Sequence, residues 1–199
     1  RIVINILAGD YYLSESIVIP ASLSGISIQG TKASEVSIKG SMILNPQWEK
    51  YSNNIFVTSV AESSDFDQLI VNGKSQILAR YPNYDKNSHY WQGYAADAIS
   101  KKRVASWKNP KGAYFNALHS GRWGGFHYII TGVNKDGIPI LEGGQQNNRM
   151  SKPHEEFRMV ENVFEELDSP GEWFLDKKKN KLYYWPSKEV SVNDSKFEV

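Results

Sequence analysis

Two loops combine glycine with side chains that can hold a polar ligand. The first runs from His119 to Gly125 and reads HSGRWGG, and the second runs from Glu142 to Arg149 and reads EGGQQNNR. Arginine and asparagine can each form paired hydrogen bonds with hydroxyl groups, and an indole offers a flat apolar face. These are the contacts that a sugar requires. The candidate ligand-binding residues are Trp123, Arg122, His119, Glu142, Asn147, Asn148, Arg149, Trp91 and Tyr90.

The aromatic residues also allow a purely structural interpretation. The chain contains six tryptophans and eleven tyrosines. Trp173 and Trp185 lie in apolar runs and are expected in a hairpin core, whereas Trp48 and Trp107 are expected to pack at domain edges. For Trp123, the sequence leaves sugar contact and core packing equally open.

Other kinds of chemistry find little support in the sequence. His119 and His127 have no third ligand at a recognisable spacing, and a zinc site needs at least three protein ligands. The pairs Gly124-Gly125 and Gly143-Gly144 lack the strand, glycine spacing and helix of a phosphate-binding loop. The motif Gly-x-Ser-x-Gly is absent, and the lack of cysteine excludes thiolate chemistry. We therefore predict no metal and no cofactor.

Length and composition indicate a globular chain. The 199 residues are 40% hydrophobic, with a formal net charge of +1. That balance provides no overall field for nucleic acid or for an anionic membrane, so neither is predicted as a partner. Ser100 could cap a short helix, and we interpret the basic triplet that follows it, from Lys101 to Arg103, as the solvated face of that helix. No apolar run approaches the roughly 20 residues of a membrane helix.

The stretch from residue 157 to residue 185 contains the clearest local signals. Phe157, Val160, Phe164 and Leu167 recur at spacings of three and four, which predicts an amphipathic helix of about three turns. Pro170 and Gly171 then stop the helix. The β-rich runs 173–175 and 182–185 follow, with Asn180 available for a left-handed turn position, and predict a hairpin.

The remaining chain predicts a mainly β fold with two different patterns of strand length and spacing. Residues 1–45 contain short apolar triplets separated by turn residues every nine or ten positions, a pattern that a β-solenoid or a β-sandwich would produce. From residue 46 the strands lengthen, and Asn72-Gly73 predicts a tight hairpin. We expect residues 46–190 to be an inserted β-rich domain and residues 191–199 to re-enter the first unit. Both ends read as strands, so a longer chain is expected.

Several sequence blocks together resemble a known group of enzymes. The blocks are LARYPN at 78–83, LHSGRWGGFHYIITG at 118–132, LEGGQQNNR at 141–149, and ENVFEELDSPGEWFLD followed by LYYWP. They resemble the N-terminal part of right-handed parallel β-helix glycoside hydrolases, most closely glycoside hydrolase family 141. The resemblance implies the start of a right-handed parallel β-helix with a β-rich insert of hairpins and one amphipathic helix. It also implies a bacterial protein that is secreted, periplasmic or at the cell surface.

The same resemblance implies xylan or fucose-containing pectic glycans of the plant cell wall as substrates. The active-site acids of those enzymes lie later in the chain, so the catalytic carboxylates are expected beyond Val199 and no catalytic residue is assigned here. This part would shape the substrate cleft, with an oligo- or polysaccharide and the rest of its own chain as partners.

Glycoside hydrolysis uses two carboxyl groups about 5 Å apart for retention and further apart for inversion. Neighbouring acids on one element are usually surface charge, which is how we interpret Asp65 with Asp67 and Glu165 with Glu166. Glu142 and Asp176 follow strands, and Glu142 is the leading candidate for a loop acid that contributes to substrate binding rather than catalysis. Two alternatives stay open at this point. One is a non-catalytic carbohydrate-binding or structural module, and the other is a polysaccharide lyase, although no calcium-binding acid cluster accompanies a basic residue.

Overall fold

The computed structural model describes residues 2–62, 64–145 and 151–199. This part of the chain is mainly β, as predicted, with one short helix, α1 (Lys101–Val104), and two 3-10 helices (Ala33–Glu35 and Phe164–Glu166). The strands are β1 (Ile2–Ile6), β2 (Gly9–Tyr12), β3 (Ile26–Gly30), β4 (Val36–Lys39), β5 (Ile43–Leu44), β6 (Glu49–Ser52), β7 (Ile55–Ser59), β8 (Ile70–Val71), β9 (Lys74–Ser75), β10 (Ile77–Leu78), β11 (Arg80–Tyr81), β12 (Tyr114–His119), β13 (Gly125–Val133), β14 (Pro139–Gly143), β15 (Pro153–Glu161), β16 (Glu172–Asp176), β17 (Lys181–Tyr184) and β18 (Phe197–Glu198).

The first four strands form two parallel pairs. β1 pairs with β3, with Ile2 opposite Ile26, and β2 pairs with β4, with Gly9 opposite Val36. Parallel pairing requires a crossover between the paired strands, which the intervening residues supply. The other sheets are mixed or antiparallel. Among the described strands, this parallel pairing shows that the chain does not begin as an antiparallel β-sandwich. Two parallel pairs are nevertheless too few to define a β-helix.

Two five-stranded sheets form the larger part of the fold. Sheet I has the order β10-β16-β17-β7-β6, and sheet II has the order β11-β15-β12-β13-β14. The sheet I core contains Trp173, Leu182 and Tyr184, each no more than 1% exposed, whereas Phe115 and Val160 are fully buried in sheet II. Each sheet therefore has its own apolar layer.

Local turn chemistry was read correctly from the sequence. Asn72 and Gly73 join β8 to β9 with φ angles of 50° and 77°, which suit the two-residue hairpin turn that Asn-Gly favours. Asn180 has a φ of 52° between β16 and β17, so the predicted hairpin is confirmed. The Ser100 side chain accepts a hydrogen bond from the Arg103 backbone N–H and caps α1, as expected.

The amphipathic helix predicted from Phe157 to Leu167 is wrong. That segment is the end of β15, followed by Asn162 at a φ of 62° and then a single 3-10 turn. β15 lies between β11 and β12, where pairing on both sides satisfies its backbone and overrides the apolar spacing. Met159 and Val160 are adjacent and both buried, which a strand covered on its two faces explains.

The end of the described chain returns to its beginning. β18 pairs antiparallel with β5 and also with β8, with Phe197 opposite both Leu44 and Val71. The two ends of the region 46–190 therefore lie close together, which is the geometry that an insertion requires. The boundaries of the three predicted units, 1–45, 46–190 and 191–199, stay a prediction.

Candidate functional site

Sheet II has one apolar face and one polar face. Successive side chains of a strand point to opposite sides, so Phe115 and Ala117 join the core while Tyr114 and Asn116 lie on the other side. Cross-strand pairing places His127 opposite Asn116 on this second side. We call the side that carries Tyr114 and Asn116 the polar face.

A chain of hydrogen bonds links three strands across the polar face. The Asn116 Oδ1 atom lies 2.6 Å from His127 Nδ1, and the Asn116 Nδ2 group donates to Glu161 Oε1 at 3.0 Å. The amide oxygen can only accept, so the His127 Nδ1–H donates to it. Asn116 is 5% exposed, whereas His127 is largely exposed. The buried amide therefore fixes the orientation of both ionisable groups.

The environment of Glu161 shifts its protonation. Burial raises the pKa of this carboxyl above its usual range, and the hydrogen bond from Asn116 with the charges of Arg80 and His127 lowers it again only in part. The described residues give Oε2 no hydrogen-bond partner. Glu161 can therefore present either a donor or an acceptor to a hydroxyl group of a ligand.

Arg80 organises the loop that walls this site. Its guanidinium is almost fully buried and donates three hydrogen bonds to backbone carbonyls: Nε to Pro82 at 2.8 Å, Nη1 to Trp91 at 2.7 Å, and Nη2 to Gly93 at 2.8 Å. A side chain at Gly93 would place its Cβ 2.8 Å from the Asn83 carbonyl oxygen, so the loop requires glycine there. With its five donors, arginine can hold such a loop where lysine could not.

A cavity of about 470 Å³ opens over the hydrogen-bonded chain. Its size falls in the range of small-molecule sites, and its lining combines aromatic rings with amides, one imidazole and two carboxyl groups. The lining residues are Asp67, Gln76, Ile77, Leu78, Arg80, Tyr84, Gln92, Tyr114, Asn116, His127 and Glu161. Such a surface suits a polyhydroxylated ligand, which needs both donors and acceptors.

Of the predicted aromatic contacts, Trp91 lies beside this cavity. The Cβ that a side chain at Gly125 would carry lies 3.6 Å from His127 Nε2 and 3.7 Å from Trp91 Cζ2, so the indole and the imidazole border the same point of the sheet. Tyr90 instead packs edge to face against Phe157, with ring centroids 4.8 Å apart. Trp91 therefore lies near the cavity without lining it, whereas Tyr90 packs inside an aromatic cluster.

The residues around Trp123 lie on the opposite side of the sheet. His119 stacks between Trp123 and Phe126, at centroid distances of 5.3 and 5.7 Å, and its Nδ1 accepts a hydrogen bond from the Gly121 N–H. Phe126 belongs to the apolar side, so this stack lies away from Asn116. His119 is 7% exposed and Trp123 is 71% exposed. Arg122 is also exposed, at a φ of 58°.

Glu142 occupies the polar face but lies far from Glu161. The register runs from Glu161 through Tyr114 and Ile129 to Glu142, which is three strand spacings and hence about 14 Å. That separation is too large for the acid pair of a glycoside hydrolase. Glu142 is exposed and remains a binding candidate. Asn147, Asn148 and Arg149 lie outside the described residues.

Sequence reasoning missed the residues that the fold brings together. The sequence pattern predicts Glu161 on a helix and indicates no site role for Asn116 or Arg80. The available signal was the alternation of β12, in which polar Asn116 stands between apolar Phe115 and Ala117. This alternation places Asn116 on the face away from the core, and an amide that is nevertheless buried there usually has hydrogen-bond partners.

Two further features concern ligands and membranes. Within residues 2–62, 64–145 and 151–199 there is no group of three or more His, Cys, Asp or Glu side chains that could hold a metal ion. No helix in that same part of the chain is long and apolar enough to cross a membrane.

Comparisons with known proteins agree with this architecture. Residues 148–187 match the model of a family described as the GH141 insertion domain. A solved structure named "Glycoside hydrolase" is similar over 99% of this chain, with a TM-score of 0.68 and 20% sequence identity, and the chain spans 38% of that structure's length. No curated protein matches the sequence. The structural likeness shows a shared β-rich fold, and the family match relates β15 to β17 to the GH141 insertion domain.

Proposed function

We propose that these residues form the N-terminal portion of a glycoside hydrolase that acts on plant cell-wall polysaccharide, either xylan or a fucose-containing pectic glycan. The observation that carries the proposal is the match of residues 148–187 to the GH141 insertion domain. In this proposal the portion shapes the substrate cleft, while the catalytic carboxylates lie beyond Val199. A cell-surface, periplasmic or secreted location follows from a substrate that lies outside the cell.

The parallel start of the chain supports the β-helix part of this proposal. β1 and β2 pair in parallel with β3 and β4, and apolar side chains of the region stay exposed, including Val18 at 80% and Met42 at 65%. In a β-helix, further turns of the chain would stack on such strands and cover them. We propose that residues 1–45 begin a right-handed parallel β-helix and that residues 46–190 interrupt it.

The polar cavity supports a role in holding the glycan. The Asn116 amide fixes the carboxyl of Glu161 and the imidazole of His127, and the Arg80 guanidinium fixes the loop that carries Trp91. Preorganised groups lose little freedom when they bind, so they position a substrate at low entropic cost. A sugar ring in the cavity would meet the aromatic rings of Tyr84 and Tyr114, with Trp91 nearby, and the hydrogen-bonding groups of Asn116, His127 and Glu161.

A second candidate is a non-catalytic carbohydrate-binding module, which the separation of Glu142 from Glu161 favours. A third is hydrolysis inside the cavity itself, because Asp67 and Glu161 both line it. These candidates share the binding site and differ in where the chemistry occurs.

Kinetics of the full-length protein test the binding role. Asn116→Ala removes both fixed hydrogen bonds, so kcat/KM on the cleaved polysaccharide should fall at least about tenfold, mostly through KM. Asn54→Ala is the matched control, because Asn54 is an exposed turn residue that does not line the cavity. Equal kinetics for the two variants, with both folded, would remove the cavity from the substrate cleft.

A further inference from the structure

A second cleft in the structure is lined by five lysines and five aromatic residues. It encloses about 490 Å³ between sheet I and the segment that leads into β12. Its basic residues are Lys108, Lys111, Lys177, Lys178 and Lys179, against two acids, Glu165 and Asp176. We call it the lysine cleft.

Three of these ammonium groups are available to a ligand. Lys179 pairs with Asp176 at 2.8 Å, and Lys177 pairs with Asp65. Within the described residues, the side chains of Lys108, Lys111 and Lys178 have no ion pair, and all three residues are exposed. The 199 residues carry a net charge of only +1, so this concentration of positive charge is a local feature.

The wall of the lysine cleft is a rigid aromatic layer. Phe164 meets Phe174 edge to face at 5.5 Å and Tyr183 at 5.0 Å, and Tyr51 meets Tyr183 at 5.0 Å. These rings hold one another in place, because an edge-to-face contact fixes both orientation and distance. Flat rings beside ammonium groups provide the two contacts that a charged sugar needs: an apolar face and a counter-charge.

The lysine cleft adjoins the polar cavity. Tyr114 lines both of them, and it lies opposite Glu161 on β15 and Ile129 on β13. A linear polymer that occupies the polar cavity can therefore continue past the Tyr114 ring into the lysine cleft. The two sites form one path along the polar face of sheet II.

We propose that the lysine cleft is a binding site for carboxylate-bearing sugars, that is, for uronic acid residues of the same polysaccharide that enters the polar cavity. Glu165 and Asp176 lower the net positive charge of the lining, which suits a ligand of low charge density, such as a uronic acid, better than a polysulfate or a nucleic acid. The identity of the polymer rests on the proposed function, whereas the charge preference of the cleft does not. Of the two substrates proposed above, the cleft favours the pectic glycan.

Binding measurements on the full-length protein test this proposal. The probes are polygalacturonate, neutral dextran, dextran sulfate and a single-stranded oligonucleotide, each titrated at low ionic strength and again near 0.5 M salt, where the Debye length falls to a few ångströms, roughly 4 Å. We expect polygalacturonate to bind most tightly, neutral dextran to bind only weakly at this cleft, and the polygalacturonate affinity to fall with salt.

A matched pair of triple variants locates the binding. Lys108→Gln, Lys111→Gln and Lys178→Gln together should weaken polygalacturonate binding about tenfold, since each exposed charge contributes modestly. Lys101→Gln, Lys102→Gln and Lys135→Gln remove the same charge from exposed residues outside the cleft and should change affinity less than twofold. Both variants alter surface side chains only, and circular dichroism verifies their folding.

Three results would overturn the proposal: equal weakening by the two triple variants, tighter binding of dextran sulfate or oligonucleotide than of polygalacturonate, or no binding of polygalacturonate. The proposed function fails separately, through Asn116→Ala in the polar cavity. If the triple lysine variant loses polygalacturonate binding while Asn116→Ala has no effect, the lysine cleft is supported as a binding site. The polar cavity is then excluded as a substrate site.

Discussion

A buried carboxyl group should make this protein less stable as the pH rises. Glu172 is 1% exposed at the start of β16. Its Oε2 accepts hydrogen bonds from the backbone N–H groups of Asp168 at 3.1 Å and Ser169 at 3.0 Å, while Oε1 has no partner. The pKa of Glu172 is raised to about 8, because burial and the Asp168 charge raise it by more than the two N–H donors and Arg80 lower it.

The direction of this shift sets the sign of the effect. The pKa in the folded protein lies above the value of 4.5 expected in the unfolded chain. The unfolded state therefore releases the proton first, so the stability associated with protonated Glu172 is complete below pH 4.5 and is lost as the pH rises towards 8. One pKa unit corresponds to about 1.4 kcal/mol, so the upper limit is about 5 kcal/mol. We expect roughly half of this, because local opening admits water to the charged form.

Glu172→Gln isolates the contribution. Glutamine is neutral at every pH and keeps an oxygen that can accept the Asp168 and Ser169 N–H groups. Urea unfolding at pH 5 and pH 8.5 should show a loss of about 2 to 3 kcal/mol for the native protein and a much smaller loss for Glu172→Gln. Glu62→Gln is the control, since Glu62 is exposed. Equal pH dependence of all three proteins would refute the reasoning.

Three further perturbations follow from the contacts. Burial would raise the pKa of Glu198, but hydrogen bonds from Tyr12, Ser41, Lys39 and Lys196 outweigh it and lower the pKa to about 2. Glu198→Gln should therefore lower the free energy of unfolding at pH 6, and the variant should lose less stability than the native protein between about pH 4.5 and pH 2. Glu166 accepts a hydrogen bond from the Trp107 Nε1–H at 2.7 Å and forms an ion pair with Arg103 at 3.3 Å. Glu166→Ala should therefore lower the free energy of unfolding, measured with denaturant, by about 3 kcal/mol, and a decrease below about 1 kcal/mol would contradict this. Trp123 is 71% exposed on the side of sheet II away from the polar cavity, so Trp123→Ala in the full-length protein tests a separate sugar contact: kcat/KM should fall with the fold intact, and full activity would show that the Trp123 loop does not contact substrate.

The parts of the fold that depend on local chemistry were predictable from the sequence. Asn72-Gly73 and Asn180 specify turns through their own backbone preferences, and Ser100 specifies a cap through its own hydroxyl. The segment from Phe157 to Glu161 was not predictable in this way, because its strand form depends on two neighbouring strands, β11 and β12.

The polar cavity illustrates the same limit for the candidate site. Asn116, His127 and Glu161 come from three strands, and only the pairing register places them side by side. Trp123 and Trp91 look equivalent in the sequence, yet strand alternation and the Arg80 contacts put them on opposite sides of sheet II. Residue type could suggest that either tryptophan contacts a sugar. Only the strand register shows that Trp91 lies near the polar cavity and that Trp123 lies in the exposed stack on the other side of the sheet.

We propose that this part of the protein binds the glycan while the catalytic acids lie elsewhere, and the Glu161→Gln variant of the full-length protein tests this division most directly. Steady-state hydrolysis of xylan and of pectic glycan should show kcat/KM reduced about ten- to a hundredfold, with KM raised and kcat largely kept. Loss of kcat by about ten-thousandfold or more, with Asp67→Asn giving the same loss, would contradict the claim and place the acid pair in the polar cavity.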